Sequence, residues 1–187
     1  MTEVLWGICR STGLIALVLL TAAVVCGALV SGRAGRGTAV ALLPSGLHRS
    51  LSLLSVAFLA AHVVSAIVES YVDIDWIAVV VPFTAGWNRL GVGLGTLAVD
   101  LLLAVTLTTA FRHRLPPRAW RVVHLSAWAM WPIALVHAVT TSSVDVALAW
   151  TVSLLCLAAG TGALLWRVRR PDHDAAARRL VPSDSWR

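Results

Sequence analysis

The segments HRSLSLLSVAFLAAH, residues 48–62, and HLSAWAMWPIALVH, residues 124–137, each open and close on a histidine set in apolar sequence. Around them, 58% of the 187 residues are apolar and only 13% are charged, a balance that marks an integral membrane protein. Five stretches have the length to cross a bilayer: Thr12 to Gly32, Ser50 to Val68, Leu90 to Phe111, Val122 to Val144 and Val146 to Trp166. Each is near the ~20 residues that span ~30 Å of hydrocarbon, and each must be helical because lipid satisfies no backbone polar group. A shorter run, Trp76 to Trp87, is broken by Pro82 and reads as an interfacial or re-entrant piece before the third span. The chain divides into a short external N-terminus (residues 1–11), a transmembrane domain (12–166) and a basic cytoplasmic tail (167–187). The first apolar segment reads as a retained helix, since the eleven residues ahead of it hold no convincing cleavable signal.

Charge placement predicts orientation. Arg33, Arg36 and Arg49 follow span one, Arg112, Arg114, Arg118 and Arg121 follow span three, and six more arginines follow span five. These segments should be cytoplasmic, leaving Glu69, Asp73, Asp75 and Arg89 after span two and Asp145 after span four outside. The N-terminus is then outside and the C-terminus inside. The net charge of +6 therefore reports topology and contact with anionic lipid, and nucleic acid is not an expected partner.

Spans two and four run in the same direction under this topology. His48 should therefore face His124 near the cytoplasmic side, and His62 should face His137 at a second level, about 20 Å away at 1.5 Å per residue. A spacing of fourteen brings His62 back to within about 40° of His48, whereas thirteen leaves His137 about 140° from His124 unless Pro132 alters the winding. One intramembrane histidine often serves as an interhelical contact, but four at matched levels point to a shared role, and axial ligation of haem iron is the economical one. With no CxxCH motif for covalent attachment, two b-type haems are expected, held by His48, His62, His124 and His137. Arg49, Arg118 and Arg121 are candidate partners for haem propionates, although the positive-inside rule explains them equally.

The double pair, H-x13-H on one helix and H-x12-H two helices later, resembles the ferric reductase-like transmembrane domain of iron reductases, NADPH oxidases and the haem-bearing partners of periplasmic methionine sulfoxide reductases. The resemblance covers roughly residues 45 to 165. It implies a five-helix, dihaem b-type cytochrome, the membrane subunit of an oxidoreductase, with the haems between the second and fourth helices. Electrons would pass from a separate cytoplasmic flavoprotein or a quinol to an external acceptor such as a ferric chelate or a redox protein. The chain departs from many members in lacking an initial helix and any flavin or nicotinamide module after the last span. Rival readings are a quinol-oxidising cytochrome b anchor working in reverse, and a haem-free transporter or assembly protein using its histidines and Asp100 for protons or metal ions.

The remaining polar residues carry weaker signals. Asp100, in the middle of span three, is expected to face the bundle interior, to orient a histidine, pass protons or bond a neighbouring helix. Glu69, Asp73 and Asp75 with Tyr71 read as solvated loop charge or as an attractor for a ferric complex. Gly91, Gly93 and Gly95 lack the strand and spacing of a dinucleotide fingerprint and fit close helix packing. Cys9, Cys26 and Cys156 form no CxxC pair, and His113 and His173 sit among arginines as solvated residues. Trp128 and Trp131, between the span-four histidines, fit either packing or a position flanking the haems, while Trp76, Trp87 and Trp150 fit interfacial anchors.

Overall fold

The computed structural model describes residues 2–31, 42–68, 75–143 and 145–169. Its helices are α1 (Thr2–Ser31), α2 (Leu42–Val68), the single turn α3 (Ile77–Val80), α4 (Arg89–Ala110), α5 (Pro117–Leu125), α6 (Ala127–Thr141) and α7 (Val146–Arg169), with a 3-10 turn at Arg112–Arg114 between α4 and α5. Five helical stretches are long and apolar enough to cross a membrane: Glu3–Val30, Gly46–Val68, Arg89–Ala110, Pro117–Thr141 and Val146–Arg169. The chain is thus an all-α bundle of the multi-pass membrane type. The first helix starts ten residues earlier than the apolar pattern indicated, so residues 2–11 belong to α1.

The packing has the inverted character expected where lipid replaces water. Buried positions are filled chiefly by small side chains, among them Ala16, Ala23, Ala28, Ala98, Ala149 and Ala163, whereas Leu53, Leu54, Leu103, Leu107, Leu154 and Leu155 are exposed on the outside. Apolar side chains gain little by leaving lipid, so small residues that let backbones approach closely hold such a bundle. α1 packs along α2, and α4 packs along α6, while α7 closes against α1 and α6. One of the few large buried residues is Trp131, set with Leu17, Val24, Leu135 and Cys156. Its Nε1 donates to Thr21 Oγ1 at 3.0 Å, and Thr21 in turn donates to Leu17 O at 2.8 Å. Gly160 of α7 leaves the room that the indole ring occupies.

Span four is two helices. α5 ends at Leu125, Ser126 forms a tight junction in which its N–H bonds Val123 O at 3.0 Å, and Ala129 N–H bonds Ser126 O at 2.9 Å. These i to i−3 bonds wind the backbone more tightly than an α-helix. Pro132 then lies inside α6 and removes one donor from its ladder. The tighter winding at Ser126 turns the chain in the sense that the thirteen-residue spacing of His124 and His137 requires.

Between spans two and three, α3 packs on α4 and Thr96 Oγ1 donates to Ala78 O at 2.6 Å. The following turn carries two residues with positive φ, Phe83 at 65° and Asn88 at 37°. Asn88 caps α4 by accepting from Gly91 N–H at 3.1 Å, and its Nδ2 donates to Thr140 O at 2.8 Å, tying the start of α4 to the end of α6. Arg89 Nε donates to Phe83 O within the same turn. At the same end of the bundle Arg10 pairs with Asp145 at 3.2 Å, joining α1 to the start of α7.

Gly160→Val should drive Trp131 from its seat and cost on the order of 1–3 kcal/mol, the usual penalty of overpacking. Thermal unfolding in detergent checks this, with the neighbouring Gly162→Ala, whose added Cβ meets no other atom within 4 Å, expected to unfold near the wild-type temperature.

Candidate functional site

The four intramembrane histidines assemble in twos. His48 of α2 and His124 of α5 have ring centroids 6.2 Å apart at an interplanar angle of 76°, and His62 of α2 and His137 of α6 repeat this at 6.2 Å and 77°. Two pairs of one geometry at two levels cannot be explained by independent packing accidents on four turns of helix. Ser55, midway between His48 and His62 in sequence, and Met130, midway along the partner segment, are the largest of the fully buried side chains among the described residues. They fill the layer between the two levels.

Three of the rings are held by the same device. His48 Nδ1 donates to Ala23 O at 2.8 Å, His62 Nδ1 to Cys9 O at 2.7 Å, and His137 Nδ1 to Gly91 O at 2.8 Å. A carbonyl oxygen only accepts, so each bond places the proton on Nδ1 and leaves Nε2 of the neutral ring as a bare lone pair. Glycines make room for the rings. A Cβ on Gly13 would stand 2.8 Å from His62 Nδ1, one on Gly95 would stand 2.6 Å from His137 Cε1, and one on Gly27 would stand 3.3 Å from His48 Cε1. Cys9 contributes a second contact to His62, its thiol standing 3.5 Å from Nδ1 and donating to His62 O at 3.7 Å.

His124 differs. Its Nδ1 is buried without a hydrogen-bond partner, and its ring stacks on Trp120 one turn earlier, with centroids 5.0 Å apart and an interplanar angle of 22°. The tautomer of this ring is therefore not set by a carbonyl, unlike those of the other three.

The sequence reading did not include the anchors, yet a signal for two of them was present. Cys9 and Ala23 are fourteen residues apart, as are Gly13 and Gly27, matching the spacing of His48 and His62 on the antiparallel neighbour. Small residues repeated at the histidine interval on an adjacent helix mark where two rings must fit. Gly91 and Gly95 serve His137 in the same way, which is the packing role expected of that glycine run.

Other predicted residues fall elsewhere. Arg49, Arg118 and Arg121 are exposed at the end of the bundle that holds His48 and His124. His113 is exposed in the 3-10 turn, and Asp75 is exposed at the opposite end. Trp131 belongs to the apolar cluster with α1 and α7, and Trp128 lies beside Arg167, whose guanidinium stands 5.9 Å from its ring. Asp100, partly buried, lies roughly 160° around α4 from Ala98 and Leu102, the residues that pack against Met130, Val56 and Leu59, so it does not face that part of the interior as expected. Glu69, Tyr71, Asp73, His173, Arg33, Arg36 and the tail from residue 170 lie outside the described residues.

Among the described residues, no group of three or more His, Cys, Asp or Glu side chains gathers in a way that could hold a metal ion. On this finding the expectation of two b-type haems between the second and fourth spans is corrected. With it go the readings built on haem: the electron-carrying dihaem cytochrome, the oxidoreductase subunit of ferric reductase type, and the assignment of iron as a bound metal. The metal-ion form of the alternative, a haem-free transporter or assembly protein using its histidines and Asp100, is corrected as well, because no such cluster forms among the described residues. No protein-family model, curated protein or solved structure matches the chain.

Nitrogen NMR of histidine-labelled protein in bilayers should show His48, His62 and His137 as Nδ1–H tautomers at neutral pH, with His124 distinct from them. Gly95→Val should abolish the Nδ1–H signature of His137 while leaving that of His48 in place.

Proposed function

We propose that this chain is a membrane-embedded relay whose two imidazole pairs are the points through which protons pass between the two faces of the bilayer. The observation that carries the reading is the repetition of one pair geometry at two levels, with Nδ1 tied to backbone on three of the four rings so that Nε2 is left for a task other than packing. An ionisable side chain in hydrocarbon is a costly retention, and four arranged along one axis support transit better than four separate structural uses. Family membership among ferric reductase-like transmembrane domains is proposed on the same double pair, which is the motif that carried the resemblance.

The orientation proposed is N-terminus outside and C-terminus cytoplasmic. Arg49, Arg112, Arg114, Arg118, Arg121, Arg167 and Arg169 collect at one end of the bundle, and Asp75 and Asp145 lie at the other with Arg10 and Arg89, a distribution that supports placing the first end inside. His48 and His124 are then the inner pair and His62 and His137 the outer. Anionic headgroups of the inner leaflet are the partner proposed for the arginine rim, each arginine near the surface contributing about 1 kcal/mol.

The test is proton movement across vesicles containing the purified chain, driven by a pH step and read with an enclosed pH-sensitive dye. Wild-type protein should carry protons, and His62→Ala and His137→Ala should each reduce the rate by roughly a hundredfold, the scale of losing one positioned proton-accepting group, with His113→Ala unchanged. Failure of wild-type protein to carry protons, or equal rates in the wild type and the histidine variants, would overturn the relay.

A further inference from the structure

We propose that the outward face of α4 around Asp100 is a docking surface for a transmembrane helix of another membrane protein, one that carries an arginine or lysine near the middle of the bilayer. Asp100 is the twelfth of the 22 residues of α4, which places it at mid-depth. Ala98 and Leu102, two residues to either side, are buried against Met130, Val56, Leu59 and Ile133. At about 100° per residue both lie roughly 160° around the helix from Asp100, so the carboxyl is directed away from the bundle. On its side of α4, one and two turns further along, stand Leu103 and Leu107, 49% and 55% exposed, with the small Ala104 between them.

Asp100 has no hydrogen bond or ion pair to any described residue. An acid at this depth facing acyl chains is costly, and such residues persist by pairing with one another or by facing a protein interior or a wet cavity. On that side of α4 the buried Thr96 and Gly93, one and two turns earlier, are covered by Ala78 and Phe83, whereas from the partly buried Asp100 onward the exposed Leu103, Ala104 and Leu107 leave the face without a covering helix. A second helix laid along Leu103, Ala104 and Leu107 would exclude lipid, and the small residue permits the close approach such contacts require.

The chemistry of the occupant follows from the charge. All fifteen cationic residues of this chain are arginines, and those in the described helices stand toward helix ends, as Arg10, Arg49, Arg89, Arg118, Arg121, Arg167 and Arg169 do. Arg10 is already paired with Asp145. A second copy would therefore bring aspartate against leucine or against aspartate at mid-depth and supply no counter-charge. A helix from a different protein with a central cation completes the pair, and removing one member of such a pair leaves a charge uncompensated.

The inference is independent of the relay, and its test reads association alone. The full chain carrying a donor fluorophore is reconstituted in phosphatidylcholine vesicles with acceptor-labelled leucine–alanine helices of roughly 20 residues, the length of one span, bearing either a single arginine or a leucine at the centre. The arginine-centred helix should associate at least about tenfold more tightly than the leucine-centred one, equivalent to about 1.4 kcal/mol. Asp100→Asn, which keeps the shape of the side chain, should remove most of that preference, and Asp100→Leu should remove all of it, with helical content and the histidine nitrogen spectrum unchanged. Equal association of both helices with the wild-type chain, or an unchanged preference in Asp100→Asn, would overturn the proposal. So would energy transfer between two labelled copies of the chain that depends on Asp100, which would assign the face to self-association.

Discussion

The bundle is organised around hydrogen bonds that run from a histidine ring on one helix to a backbone carbonyl on the next. An imidazole N–H buried in an apolar bundle without a partner is penalised by its lost solvation, a cost of about 1–3 kcal/mol. Ala23, Cys9 and Gly91 supply the oxygen in three cases, and a small residue four positions on, Gly27, Gly13 or Gly95, supplies the space for the ring. The separation of α1 from α2, and of α4 from α6, is set by this requirement. The positions of α3 and of the turn through Asn88 follow, because they hold down the first turn of α4, where Gly91 lies.

Much of this could be read from the chain before its structure, and the reasons differ by element. The five spans are legible because length and apolarity act together, so that a run such as Leu90 to Phe111 has few alternatives. The pairing of His48 with His124 and of His62 with His137 followed from the arginine-rich connections, which make spans two and four parallel. The start of α1 was less legible: Glu3 and Arg10 interrupt the apolar pattern without interrupting the helix, since both sit where the span leaves the hydrocarbon. Asp100 was harder to place because an acid's cost in lipid says nothing of which stripe of its helix packs, and Ala98 and Leu102, on the opposite stripe, make the contacts with Met130. The carbonyl anchors were missed because backbone acceptors carry no residue identity, and only the fourteen-residue repetition of small side chains in α1 marks them. The metal-bearing expectation rested on residue type and spacing, whereas the described side chains gather in pairs and not in larger clusters.

The break in span four shows how local backbone chemistry serves the site. A continuous α-helix would leave His124 and His137 on different sides. The tight winding at Ser126, where the hydroxyl also donates to Val123 O at 2.6 Å, rotates α6 relative to α5 so that both rings meet α2. The same break separates two environments: α6 carries no charged residue other than the ionisable His137 and is otherwise largely apolar, whereas α5 carries Arg118 and Arg121 and presents an exposed Val122, the pattern of a segment lying at the membrane surface. His124, at the end of that segment, is the ring without a carbonyl anchor.

The distribution of anchors also has a bearing on biosynthesis. His48 and His62 are both satisfied by α1, the helix made just before them, and His137 is satisfied by α4, made before α6. The first half can therefore satisfy both of its buried ring donors as an α1–α2 hairpin while still emerging from the ribosome, whereas the second half satisfies His137 and leaves His124 without a carbonyl. The histidine pairs form only when the two halves dock, so the outer pair meets with both rings already held and the inner pair with only one.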